Sequence, residues 1–193
     1  MKNTKIKKLV EGAVMLALAT VLSFIRVFNL PWGGSITLLS MLPIILFSLK
    51  YGMKDGLCIA FCYSLIQFFQ GIGDGLFGWG LTLKMLIACI LFDYIIAFTV
   101  LGLVGIFKNK GSKAWIGGIA LVVFLRFICH FISGVFVWKS FGELWSGFST
   151  DNVWLYSLLY NGAYMLPELI FTALGAIMLI NVPQIKKLLT EKN

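Results

Sequence analysis

Charge is scarce in this chain. Of 193 residues only eight are acidic and one is histidine, and Asp, Glu, Lys and Arg together make up 12%. A soluble domain of this length could not cover 60% apolar residues with so few ionisable groups. Polar–apolar alternation is also missing, which argues against an outer-membrane barrel. No GxSxG, HExxH or paired acidic metal site is present, so no familiar hydrolytic motif points to an enzyme. No phosphate-cradling GxxxxGKS or GxxxxGKT loop occurs either, so ATP hydrolysis would have to come from a partner. The four cysteines, Cys58, Cys62, Cys89 and Cys129, lie inside apolar runs without His or Cys at metal-ligand spacing. They read as small buried hydrophobes, and no metal site or bound cofactor is expected.

What remains is oil. Mean hydropathy is +0.94, and long apolar runs recur along most of the sequence. Six spans are expected, near 10–28, 36–49, 57–69, 81–107, 115–138 and 153–180, forming one integral membrane domain over 1–193. The fold class is therefore an all-α membrane protein, a six-transmembrane-helix bundle. The second run is short for a full span, and the fourth is long enough to tilt. The first resembles a signal peptide in its basic start and Ala17-Leu18-Ala19, but the apolar run continues through Phe28, so it reads as a membrane helix. NLPWGGS and QGIGDGLFGWG, rich in Gly and aromatics, read as loops on one side of the membrane.

The net charge of +8 does not indicate nucleic acid. Lys2, Lys5, Lys7 and Lys8, then Lys50 and Lys54, Lys108, Lys110 and Lys113, and Lys186, Lys187 and Lys192 hold twelve of the sixteen basic residues. All fall at span ends that share one side if the spans alternate. By the positive-inside rule that side is the cytoplasm, and both termini lie there. A basic stripe with interleaved polar readers is absent.

Ionisable groups at membrane depth are costly and face a cavity or a partner. Four stand out: Asp93, Arg126, His130 and Glu168. Arg126 lies twelve residues from Trp138 and Glu168 twelve from Tyr156, so the two reach similar depth and are expected to form a structural ion pair. His130, one turn from Arg126, is either an interhelical hydrogen-bonding group or a ligand-facing one. Asp93 has no basic residue at its depth. Asn161 and Tyr164 fall near the same level, with Trp138, Tyr156, Tyr94, Tyr63, Trp32 and Trp79 around them. An unpaired carboxylate among aromatic rings suits a flat cation, through countercharge, stacking and cation–π attraction. Trp115 and Trp154 read instead as headgroup-level belt residues, and Trp138 and Tyr156 admit either role. On the first helix Ala13, Ala17 and Thr20 follow i, i+4, i+7 spacing, a small-residue strip for close helix approach, either within this bundle or to another protein.

EGAVMLALATVLSF, SITLLSMLPI, DYIIAF, RFICHFISGVFVW and YSLLYNGAYMLPE together resemble the thiamine-specific substrate-binding subunits (S components of the ThiT type) of energy-coupling-factor transporters. The resemblance covers essentially the whole chain. It implies a six-helix bundle in the bacterial cell membrane with a thiamine pocket near the external face. It also implies that Ala13, Ala17 and Thr20 dock on an EcfT-type transmembrane coupling subunit, driven by two cytoplasmic ATPases. Asp93 and Tyr94 match an acidic-Tyr pair, where the family often has Glu; His130, Trp138, Tyr156 and Asn161 match pocket residues. Gly134 fits a spot where ligand approaches the backbone closely. Trp32 matches a first-loop aromatic lid and Tyr63 a third-helix position where other members carry Trp.

Three alternatives stay open. A small proton-coupled carrier would use Asp93, His130 and Glu168 as a relay, but internal repeats are not evident. A membrane enzyme pairing His130 with Asp93 lacks a motif. An S component for another vitamin would share most of these features.

Overall fold

A computed structural model describes residues 2–30 and 33–190. The chain folds as α1 (Lys2–Phe24), a hairpin of β1 (Arg26–Asn29) and β2 (Ser35–Thr37), α2 (Leu42–Tyr51) and α3 (Met53–Gly73). After a short 3₁₀ turn at Leu76–Gly78 come α4 (Leu83–Phe107) and α5 (Ser112–Trp138). A second hairpin, β3 (Gly142–Trp145) and β4 (Phe148–Thr150), leads to α6 (Val153–Ile180) and α7 (Pro183–Thr190).

Among the described residues four helices, α3 to α6, are long and apolar enough to cross a membrane. This is a multi-pass membrane protein, as the apolar runs require: where water is absent, only helices satisfy every backbone group within one segment. α2 has ten residues, and α1 opens with four lysines and Glu11; neither is among those four.

Several boundaries differ from the sequence expectation. The first helix ends at Phe24 rather than near 28, because Arg26 to Asn29 pairs antiparallel with Ser35 to Thr37. The second starts at Leu42, not near 36: Leu39 takes a positive φ of 59°, and Pro43 sits at the helix start, where its missing N–H does no harm. QGIG belongs to α3 and only the residues after it form a loop. The terminal helix α7 was not anticipated; its eight residues are too few to announce themselves by periodicity.

α2 is the axis of the bundle. Leu42 to Lys50 are all buried, as expected of a helix that is apolar on every face. It shares one apolar core with Leu101 and Val104 of α4, Ile119 and Val122 of α5 and Ala176 of α6. α3 and α4 cross backbone to backbone: a Cβ on Gly102 would meet the main chain of Gly56 at 2.5 Å. Only glycine allows that approach.

α1 is tied down by charges at one end. Lys8 pairs with Asp55 at 2.7 Å, and Glu11 takes both Lys50 Nζ at 2.6 Å and the Tyr51 hydroxyl at 2.8 Å. Trp115 is not a belt residue. It is buried and donates its indole N–H to the Phe107 carbonyl at 2.9 Å, stapling the α4–α5 turn. Cys58 and Cys62 are exposed on α3 rather than buried; Cys89 and Cys129 are buried as read.

Candidate ligand-binding site

A cavity of about 130 Å³ opens at the end of the bundle that carries the β1–β2 hairpin. Asp93, Tyr94, His130, Gly134, Trp138, Tyr156, Asn161 and Tyr164 all line it. Helical periodicity brings them there: each lies on the inward face of α4, α5 or α6.

Asp93 is held by three side chains. Its Oδ1 lies 3.0 Å from His130 Nδ1, while Oδ2 accepts from Ser133 Oγ at 2.5 Å and Trp138 Nε1 at 3.1 Å. All three partners sit on α5. A carboxylate held by three donors keeps a fixed direction. With Nδ1–H given to Asp93, Nε2 of a neutral His130 is an acceptor, and it is buried without a partner. The cavity wall thus holds a carboxylate and, behind it, a buried ring nitrogen without a partner.

Both site-bearing stretches depart from α-helical winding. Ile90–Ile96, with Asp93 and Tyr94, and Gly134–Trp138 are π-helical. Wider turns of this kind re-aim side chains and occur often at functional sites. Trp138 also packs at 5.4 Å from Trp79, so two indoles form one wall.

α6 contributes a tyrosine ladder. Tyr156 stacks on Tyr160 at 6.3 Å, and Tyr160 meets Tyr164 edge-on at 5.9 Å. Tyr160 also accepts from the Gly34 N–H at 3.2 Å, which pins the β1–β2 hairpin over the cavity. The sequence reading passed over Tyr160, although its place halfway between Tyr156 and Tyr164 puts it on their face.

Some expected residues have other occupations. Asn161 spends its amide on helix packing: Nδ2 donates to the Ser157 carbonyl at 2.9 Å and the His130 carbonyl at 3.3 Å, and Oδ1 accepts from Tyr164 at 2.8 Å. At Gly134 the space of a side chain is filled by the Ser157 hydroxyl. A side chain there would collide with α6, although the residue itself lines the cavity. Tyr63 is wholly buried and does not line the cavity; Phe98, against which it packs edge-on at 5.5 Å, stands there instead. Trp32 lies outside the described residues. Ala13 and Ala17 are exposed on α1, and Thr20, half-buried beside them, bonds back to the Leu16 carbonyl at 2.7 Å.

The Arg126–Glu168 ion pair does not form. Glu168 Oε1 accepts instead from the Thr37 N–H at 2.6 Å and the Thr37 hydroxyl at 2.7 Å, anchoring β2 to α6. Arg126 lines the cavity, with Nη1 on Met41 Sδ at 3.0 Å and its guanidinium over Phe98 at 4.2 Å. Matched depth on two helices does not make two side chains bond; Glu168 is engaged by β2 instead.

Another part of the lining, at the end of α1, the start of β1 and the end of α3, carries groups the sequence reading did not single out. Arg26 Nη2 pairs with Asp74 Oδ2 at 2.5 Å, and Ser23 and Gln70 exchange hydrogen bonds at 2.8 and 3.1 Å. These partners are 47 and 48 positions apart, beyond any local pattern. Among the described residues no three His, Cys, Asp or Glu side chains gather as metal ligands would.

The family model described as thiamine transporter protein (Thia_YuaJ) matches residues 9–188. The thiamine transporter ThiT of Bacillus subtilis is 30% identical over 201 aligned residues, spanning 96% of this chain and 97% of that protein. ThiT of Lacticaseibacillus paracasei is 26% identical, over 92% of this chain and 89% of its own. A solved structure of ThiT from Listeria monocytogenes superimposes with a TM-score of 0.72 at 22% identity, covering 94% of this chain and 98% of that one, which shows a common fold. From residue 9 to residue 188, this chain belongs to the Thia_YuaJ thiamine transporter family, as a ThiT-type protein.

Proposed function

We propose that this chain is the thiamine-binding S component of an energy-coupling-factor importer. The observation that carries the reading is Asp93: a carboxylate fixed by three donors, walled by indole and phenol rings, inside an oily bundle. Thiamine is a permanently charged thiazolium joined to a flat aminopyrimidine. Asp93 supplies the countercharge, Trp138 and the tyrosine ladder supply stacking surface, and the free Nε2 of His130 accepts from a ligand N–H. Arginine at the cavity floor, Arg126, disfavours the inverted orientation of a cation.

In this reading α1 and α2 complete six spans with both termini in the cytoplasm, and the hairpin end of the bundle faces outward in a bacterial cell membrane. Delivery requires partners. The exposed Ala13 and Ala17 with Thr20 form the strip on which a transmembrane coupling subunit docks, and two cytoplasmic ATPases supply the energy. The chain performs no chemistry on its ligand.

The test is a titration of detergent-purified protein with thiamine, riboflavin and biotin by calorimetry. Saturable binding of thiamine alone, lost in Asp93→Ala while the variant stays monodisperse, is expected. Tight thiamine binding by Asp93→Ala, or preference for another vitamin, would refute the assignment.

A further inference from the structure

Besides Asp93 and Arg126, the cavity has a third charged place, and it has been given no task. Asp93 stands on the α4–α5 wall. Where β1 follows α1 and α3 ends, Arg26 and Asp74 both line the cavity and pair with each other at 2.5 Å. Their side chains are 26% and 38% exposed, so they reach solvent as well as the cavity.

Every strong group at this place is neutralised by a neighbour. The guanidinium is compensated by the Asp74 carboxylate. The Ser23 hydroxyl and Gln70 amide bond each other, and Gln67 Nε2 donates to Gln70 Oε1 at 3.1 Å. Such a surface accepts a neutral polar group, whose small hydrogen-bonding needs it can share. It offers an anion no net attraction, because the carboxylate that satisfies Arg26 also repels a second negative charge. An arginine without that carboxylate would be a forked receptor for phosphate.

We propose that the Arg26–Asp74 pair is a specificity determinant that sets the charge of the ligand tail the cavity takes: an uncharged alcohol over its phosphate monoester. The inference rests on the thiamine reading above. Asp74 is the discriminating residue, because it withholds Arg26 from an anionic tail. The pair also ties the hairpin to α3, but a purely mechanical tie would act on both ligands alike. The charge role acts on them differently.

The experiment measures Kd for thiamine and for thiamine monophosphate on the full chain in detergent, and reads the ratio of the two. Asp74→Asn leaves Arg26 uncompensated, so the ratio moves toward the phosphate ester by roughly tenfold. Arg26→Gln leaves a bare carboxylate, and the ratio moves the other way. The exchanged pair, Arg26→Asp with Asp74→Arg, returns the ratio toward the parent value. Both single shifts shrink in high salt, since the groups are partly exposed. Asp74→Ser replaces the Asn variant should that one lose its monodisperse profile. Single variants that move the ratio in the same direction, or leave it unmoved, overturn the proposal while the thiamine assignment stands. A parent chain that binds neither compound overturns both.

Discussion

Trp138 donates its indole N–H to Asp93 Oδ2 across 3.1 Å, from the last turn of α5 to the middle of α4. The ring expected to stack on the ligand is thus also one of the donors that aim the carboxylate. Stacking and countercharge are held in a fixed relation before any ligand arrives, which lowers the ordering cost of binding.

Trp138→Phe separates the two roles. It keeps a flat ring but removes the donor, and a hydrogen bond to a charged group contributes about 1.5–3 kcal/mol. Thiamine affinity should fall by about tenfold or more, and the ligand-induced change in tryptophan fluorescence should fall with it. Calorimetry and fluorescence titration on the same preparation check both. Parent-like affinity would mean that the indole N–H does not position Asp93.

Glu168 is expected to matter for stability more than for selectivity. Glu168→Ala strands the buried Thr37 N–H, a loss of about 1–3 kcal/mol. Glu168→Gln keeps an oxygen for Thr37 and should lose less. Thermal unfolding in detergent ranks the variants; an Ala variant as stable as the parent would contradict the anchoring of β2 on α6.

Gly134→Ala places a methyl group where the Ser157 hydroxyl sits. Overpacking of this kind costs about 1–3 kcal/mol. The second change Ser157→Gly should recover part of the loss, since it removes the colliding atoms. No recovery in the double variant would show that the cost lies elsewhere, in the π-helical turn itself.

The α1 strip predicts a separation of function. Ala17→Leu adds bulk on an exposed face away from the cavity, so it should weaken co-purification with the coupling subunit and slow uptake in cells. Affinity for thiamine in the isolated chain is the control measurement. Undiminished uptake would rule out this face as the docking surface.

Much of the site was legible because a helix converts sequence spacing into direction. Arg126 and His130, or Tyr156 and Tyr164, share faces by simple counting, and rare polar groups in apolar runs are drawn to the one place that tolerates them. Ser133 was within reach of the same logic, three residues beyond His130, but a serine in a membrane helix gives no energetic alarm. Tyr63 was misplaced because its face points to the core beside the cavity, with Phe98 between. The π-helical stretches also add to each turn, so counting across Ile90–Ile96 slips in phase.

By itself, the sequence determined that this chain lives in a bilayer as helices, and that Asp93 and His130 turn inward. Those follow from the cost of bare backbone and bare charge in oil, which is local and large. Only the tertiary structure decided who pairs with whom. Thr37 rather than Arg126 meets Glu168, and Arg26 meets Asp74, because partners across elements depend on how each helix is rotated and where each loop returns. Depth along a helix fixes one coordinate of a side chain; a bond requires all three.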